Sequence, residues 1–508
     1  MDAESHSQTQ HRADLIRDGR DPDLPSHHPV NALSKWRKFL ILLTLSYSGF
    51  LANFSVAIIQ VAFPTLGAAF HVSPSLIPNT IGYNLLGVAV GPLFWNPLSK
   101  TIGRRPVYLL GSLLFIPCVV WMALSNSYVV FAVARVFAGL TSSFSQTVPP
   151  ATVGDIFVKE VRGSKMSMFG VAVVIAPAVG PIFCGAIVEN TSWRVLFWFI
   201  LGLAVIQFLA FFFIVPETLW NVEENTAMPS SAHPALELTS SDHKIDDGKG
   251  SSEHVEEAPH SAHIPTGRVG PAWMPWKRPG EFGAICLSPI LMARYLTILV
   301  PSIYYGSIFA WSVGITIVFP QKFEKPPYNF ALIPLGAAFL AFGLGGILGK
   351  WSGGIVGDKT VMYMAKKRGQ RQPEHRLWAL LPILPFMFVS CLLVGLTVKL
   401  QLHWIVYLIG GGLFFFCLSA ATGILQTYVL EGFLSRSMDT QAVFVFFKSI
   451  WGFAVPFFVY EWGQEHGFLG EYIVQGALAA GIGAIICVVF IWKGYEIRQW
   501  QGMPLVAR

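Results

Sequence analysis

Residues 39–63 read FLILLTLSYSGFLANFSVAIIQVAF, a stretch without one Asp, Glu, Lys, Arg or His. A bilayer's hydrocarbon core is about 30 Å thick, and a helix rising about 1.5 Å per residue needs roughly 20 apolar residues to cross it. This stretch is long enough, and Lys35, Arg37 and Lys38 just before it would remain in water. Further apolar stretches follow at about 77–98, 106–124, 129–151, 166–188 and 194–215. After a long polar gap come about 292–319, 330–356, 377–398, 403–429, 441–461 and 472–492. The pattern predicts an all-α membrane protein of twelve transmembrane helices, six on each side of the gap.

Composition agrees with that reading. Hydrophobic residues make up 53% of the 508-residue chain and charged residues 13%, with a mean hydropathy of +0.54. Soluble domains carry about 25% charged residues, so a surface this poor in charge must meet lipid. The six cysteines, at 118, 184, 286, 391, 417 and 487, are widely spaced and form no CxxC pattern. They read as small apolar residues in helix packing. All thirteen histidines fall in tails, loops or span edges, which predicts no metal site and no cofactor. No nucleic-acid role is expected either, because the basic residues flank the spans.

Those basic residues predict orientation. With the amino terminus cytoplasmic, the inner segments hold Lys35, Arg37 and Lys38, then Lys100, Arg104 and Arg105, then Lys159, Arg162 and Lys165. The cluster Lys366, Lys367, Arg368, Arg371 and Arg376 falls on the same side. The other side receives only Arg194, Lys322, Lys325 and Lys399. Both termini are therefore expected inside. The expected organisation is a disordered tail at 1–34, a first bundle at 35–216 and a second at 289–495. A largely disordered cytoplasmic linker at 217–288 joins the bundles, and 496–508 forms a second tail. Trp273 and Trp276 in the linker suit a membrane interface.

Each half has a charged, glycine-bearing connection between its second and third spans: Asn96-Pro-Leu-Ser-Lys-Thr-Ile-Gly-Arg-Arg105 in the first and Gly354-Ile-Val-Gly-Asp-Lys359 in the second. Matching devices at matching positions indicate internal duplication. A tight turn carrying Gly103, Arg104 and Arg105 can latch the inner ends of the bundles together through carboxylates and helix ends. Asp155 is the expected partner of Arg104 or Arg105, and Asp358 is the acid of the second copy. In span 4, Arg135 is costly in hydrocarbon and must face protein or water. Arg135, Ser142 and Gln146 share one helical face, expected to border a central cavity. In span 5, Gly170 to Gly185 includes Ala176-Pro-Ala-Val-Gly-Pro-Ile-Phe-Cys-Gly185. There Pro177 and Pro181 should kink the helix, while Gly180 and Gly185 permit close approach.

Together these motifs resemble the major facilitator superfamily, and more narrowly its fungal twelve-span drug:proton antiporter branch. The resemblance covers about Lys35 to Gln501. The family loop is Gly-x-Leu-x-Asp-Arg-x-Gly-Arg-Arg; Asn96 stands for its glycine and Lys100 for its acid. The resemblance implies that this loop helps hold the outward-facing state, that Arg135 is linked to proton coupling, and that the span-5 motif favours export. Arg162-Gly163, Trp193-Arg194, Pro216-Glu-Thr218 and Pro373-Glu-His-Arg-Leu377 also resemble family features. It further implies a cavity lined by spans 1, 4, 7 and 10. The candidate substrate residues there are Asn53, Gln60, Tyr304, Tyr305, Trp311, Thr422 and Gln426, with Lys448 from span 11. Ordinary interhelix hydrogen bonding is an equal reading for each.

As drawn, no span holds an Asp or Glu near its middle, so proton coupling rests on the resemblance. The same shortage disfavours a cationic substrate and suits a neutral or weakly anionic amphipathic one. The expected function is proton-coupled efflux of a small organic compound at the fungal plasma membrane by a monomer. Uptake by a symporter or facilitator is the alternative, and an embedded enzyme or sensor a distant third. Asn190, in the sequon Asn190-Thr-Ser192, is a possible glycosylation site.

Overall fold

The computed structural model describes residues 31, 33–218, 282–368, 372–433 and 436–502. Most of the expected tail, most of the linker with Trp273 and Trp276, Arg371 and the last six residues lie outside that set. Among the described residues every regular element is helical. Among those residues eleven helices are long and apolar enough to cross a membrane. In the first half they are Lys35–Ala57 (span 1), Arg104–Leu124 (span 3), Tyr128–Ile156 (span 4), Lys159–Asn190 (span 5) and Trp193–Ile214 (span 6). In the second half they are Leu296–Phe323 (span 7), Leu332–Lys367 (span 8), Ile383–Leu400 (span 9), Trp404–Gly432 (span 10), Ser437–Phe457 (span 11) and Phe468–Gln501 (span 12). A further helix, Asn79–Thr101 (span 2), matches span 1 in length at 23 residues. Its Thr80, Asn84, Asn96, Ser99 and Thr101 are all buried against protein. That makes twelve.

The halves use one packing plan. Spans 1–5, 2–4 and 3–6 pair in the first, and 7–11, 8–10 and 9–12 in the second. Between the halves, span 2 lies on span 11 and span 5 on span 8. Glycine makes the tightest pairings possible. A Cβ at Gly87 or Gly139 would run into the backbone of span 4 or span 2, and one at Gly345 or Gly349 into that of span 10. With little hydrophobic drive between helices in lipid, such close backbone approach is a main source of packing energy. Large apolar side chains such as Leu113, Phe213, Trp351 and Ile485 point outward, as a lipid-facing surface requires.

Several boundaries differ from the expected ones, each for a local reason. Span 1 stops at Ala57 instead of running to residue 63, because Pro64 opens a separate helix, Phe63–Phe70. Proline lacks the N–H that would continue the ladder. A helix at Phe282–Met292 begins inside the expected linker, and span 12 runs to Gln501, well into the expected tail. At 34 residues it is about 51 Å long, so it projects beyond the hydrocarbon.

Glu217, also assigned to the linker, belongs structurally to the first bundle. Its Oε1 accepts from Arg104 N–H at 3.0 Å and its Oε2 from Arg105 N–H at 3.2 Å. The carboxylate therefore caps span 3, whose first turn carries two cations at the positive end of the helix dipole. Gly103 makes the turn: its φ is +104°, and a Cβ there would strike Glu217. Glu217→Ala should lower stability by about 1–2 kcal/mol, and Gly103→Val by about 1–3 kcal/mol. Thermal unfolding of the purified protein checks this; unchanged midpoints would contradict the capping role.

Candidate functional site

The face of the molecule that gathers the basic loops carries the first set of contacts. Arg104 Nη2 pairs with Asp155 Oδ2 at 2.7 Å, and Arg104 Nη1 donates to Thr152 Oγ1 at 3.3 Å. Arg105 Nη2 donates to the Phe212 carbonyl at 2.9 Å. All three contacts stay within the first half. The expectation that these guanidinium groups join the two bundles is therefore corrected. The joining contacts come from the two positions where the loop departs from its family pattern. Lys100 Nζ meets Asp439 Oδ1 at 2.5 Å, and Asn96 Nδ2 donates to the Met438 carbonyl at 3.1 Å. Asp439 sits in the first turn of span 11, buried, with its Oδ2 accepting from Ser288 at 2.6 Å. A helix N-terminus suits a carboxylate, and the carboxylate then fixes the lysine.

In the second half, Asp358 pairs with Arg376 at 2.8 Å, and Arg376 also makes a two-pronged contact with Glu431 through Nε (3.0 Å) and Nη2 (2.8 Å). Burial works against the Arg376 charge, but the Glu431 and Asp358 carboxylates outweigh it and hold the group above its ordinary value. Arg376 lies just before span 9 and Glu431 at the end of span 10, as Arg104 and Asp155 lie at spans 3 and 4. The lock is repeated along with the fold.

The opposite face is also closed across the halves. Glu189 Oε2, at the end of span 5, accepts from the Ile333 N–H at 3.0 Å, and Gln60 Nε2 donates to Thr316 Oγ1 at 3.2 Å. Gly185 and Gly336 bring spans 5 and 8 together here; a Cβ on either would enter the partner's backbone. Span 5 stays helical through Pro177 and Pro181, and Gly180 lies against Ala57 and Ile58 of span 1. Asn190, the last residue of span 5, is exposed beside this seam, its amide donating to Ala186 O at 2.8 Å.

Midway between the faces, Lys448 Nζ donates to Gln146 Oε1 at 2.9 Å and stands 4.9 Å from the centre of the Phe309 ring. Around it Tyr305 stacks on Phe444 at 4.4 Å and engages Thr422, while Gln426 Nε2 donates to Gln441 at 3.0 Å. Four of the sequence candidates, Tyr305, Thr422, Gln426 and Lys448, thus share one region. The others separate. Tyr304 turns away to donate to Ala479 O in span 12 at 2.8 Å, and Asn53 donates to Gly49 O of its own helix at 2.8 Å. Trp311 is buried with an indole N–H that meets no acceptor.

Arg135 is fully enclosed and differs from the expected cavity-facing stripe. Its Nη1 and Nη2 donate to the carbonyls of Ser55 (2.7 Å) and Val56 (2.9 Å), and its Nε to Thr80 O (3.4 Å). Span 1 ends at Ala57, so its last turn offers orphan carbonyls and the negative end of a dipole. Arg135 caps that end, while Gln146, past the turn at Ser143, reaches the other half.

Two ionisable residues escaped the sequence reading. Lys350 lies inside span 8, against Gly170 of span 5: a Cβ at Gly170 would stand 2.8 Å from its Cε. The rule applied to Arg135, a lone cation within a span, would have found it. Glu471 falls one residue outside the expected span 12, yet it is wholly buried in the first turn of that helix. Gln475 donates to its Oε1 at 2.7 Å, and its Oε2 has no hydrogen-bond partner.

With this geometry in place, comparison with known proteins decides the family. Residues 45–456 match the sequence pattern of the Major Facilitator Superfamily. The chain belongs to that superfamily. A Penicillium rubens MFS-type transporter, penM, is 27% identical over 86% of this chain and 80% of its own length. The efflux pump radE of Floropilus chiversii is 24% identical (94% and 83%), and the MFS antiporter QDR3 of Candida albicans 21% (80% and 71%). The solved D-xylose–proton symporter shares the fold at a TM-score of 0.60 and 16% identity, covering 90% of this chain and 97% of that one. The protein is thus a multi-pass membrane transporter of the superfamily, with fungal relatives.

In this member of the superfamily the cross-bundle ion pair should show strong coupling. Lys100→Glu or Asp439→Lys alone should destabilise by about 1–3 kcal/mol, and the double exchange should recover more than half of the summed loss. Additive effects in that double-mutant cycle would mean the two residues are not coupled.

Proposed function

We propose that this transporter exports a small amphipathic organic compound in exchange for protons, by rocking its two bundles about the seam between them. The observation that carries the reading is that the seam is tied at both faces, by Lys100–Asp439 at one and by Glu189–Ile333 at the other, with Lys448, Gln146 and the aromatic cluster lying between. A site between two such ties is reached only by undoing one at a time, which is the requirement of alternating access. Relatives named as an efflux pump and as an antiporter favour export over uptake. In this reading both termini are cytoplasmic, the basic face is the inner one, the membrane is the plasma membrane and the working unit is a monomer.

Exchange with protons needs a group that gains and loses one, and Glu471 is our choice. Among the described residues it is a buried acid at the head of span 12 with no ion-pair partner. Asp155 and Asp439 are each paired to a cation. The groups that face Glu471 are Gln475 and Tyr472 on its own helix and Tyr407 from span 10, whose hydroxyl lies 3.5 Å from that of Tyr472. Lys322 stands over the Phe468 ring at 4.1 Å instead of on the carboxylate, and Glu461, Glu465 and His466 of the neighbouring helix are exposed. Protonation removes the cost of an unpaired charge there, so its occupancy follows whichever side it can reach.

Proteoliposomes presented with rhodamine 6G, fluorescein or 4-methylumbelliferone test the proposal. An acidic lumen should drive accumulation of at least one dye, and Glu471→Gln should abolish that accumulation while leaving dye–dye exchange intact. Accumulation driven only by an acidic exterior would mean symport. Gradient-driven transport that survives in Glu471→Gln would place the proton elsewhere.

A further inference from the structure

The seam between the bundles carries two cationic heads at one depth and, among the described residues, no acid paired with either. Gln146 lies ten residues from Ile156, Lys448 eleven from Ser437, and Gly170 eleven from Lys159. At about 1.5 Å per residue, each stands some 15 Å in from the basic face, close to the middle of a hydrocarbon core about 30 Å thick. Lys448 meets the first half at Gln146 in span 4, and Lys350 meets it at Gly170 in span 5. Both lysines come from the second half, and both turn towards the first.

Their surroundings differ from those of the other buried charges. Arg104, Arg376 and Lys100 each have a carboxylate, and Arg135 has three carbonyls. Lys448 has one amide oxygen and one ring face, and Lys350 has no ion-pair or hydrogen-bond partner among the described residues. An ammonium in a low-dielectric interior without a counter-charge is disfavoured, so two of them at one seam are an arrangement that a third component should complete. Neither side chain is sealed in: both keep partial exposure at mid-span. Gly170 supplies the room, since a side chain there would displace the Lys350 tail.

We infer that the seam binds an organic anion, with Lys350 and Lys448 supplying the positive charge for its acidic group and the aromatic cluster around Phe309 and Tyr305 receiving its apolar body. This names the substrate class for the proposed exporter and rests on that reading for its role in transport, though binding itself needs no gradient. A carboxylate-bearing amphipathic molecule fits, and a lipophilic cation does not.

Naphthalene-1-acetate, its methyl ester and naphthalene-1-methylamine form a matched set of one ring system with three charges. Titrated against the purified full-length protein by tryptophan fluorescence, the acetate should bind about tenfold tighter than the ester, and the amine more weakly than either. Lys350→Met and Lys448→Met should each lose about tenfold for the acetate while leaving ester binding unchanged, and Lys→Arg at either position should retain the preference. The inference is overturned by ester or amine binding as tight as the acetate, or by no acetate binding up to millimolar concentration. Parallel loss of ester and acetate in the Met variants would also overturn it, because that pattern reports packing. Loss of gradient-driven dye transport with acetate preference intact would count against antiport and leave the anion site standing.

Discussion

Hydrocarbon offers a charge nothing, so every ion placed within it must be answered by protein, by water or by cargo. That constraint sorts the interior of this transporter. Arg135 is answered by the last carbonyls of span 1, which themselves lack partners, so two liabilities cancel. Arg104 and Arg376 are answered by acids of their own halves, at equivalent places in the duplicated fold. Lys350, Lys448 and Glu471 are the incompletely answered ones, and they lie where a transporter needs its variable partners: two at the seam and one in the closing helix.

The basic-face loop shows how the same scaffold can keep a function while changing the charges that perform it. Its guanidinium groups, with Gly103 and Glu217, build a rigid corner at the start of span 3. The contact across the halves falls to Lys100 and Asn96, where an acid and a glycine would be expected. A lysine there requires an acid opposite, and Asp439 occupies the first turn of span 11. Such an ion pair can form and break as the bundles rock, because Lys100 is partly exposed and its separation from Asp439 is recoverable in water.

Most of the fold was legible in the sequence because its determinants are local. Apolar length marks eleven spans, and span 2 is marked despite Asn84 and Asn96 because its polar residues still leave a run of adequate length. The Arg104–Asp155 pair could be read from two charges at the same end of neighbouring spans. Other features could not be read in this way. Lys100 and Asp439 are 339 residues apart, and no local pattern joins them. The direction of Arg135 depends on where span 1 ends, which Pro64 sets and an apolar count does not. Glu471 lies one residue beyond the expected edge of span 12, and Lys350, a lysine among glycines in an otherwise apolar stretch, does not interrupt an apolar count.

The account stands on the two bundles opening in turn about a seam tied at both faces. Spin labels on Ser164 and Lys366 report the basic face, and labels on Asn126 and Lys399 the opposite one; all four positions are exposed. Pulsed electron–electron distance measurements in lipid nanodiscs, across a range of pH, should give two populations in which one pair lengthens as the other shortens. A single fixed distance for both pairs, or the two lengthening together, would contradict it.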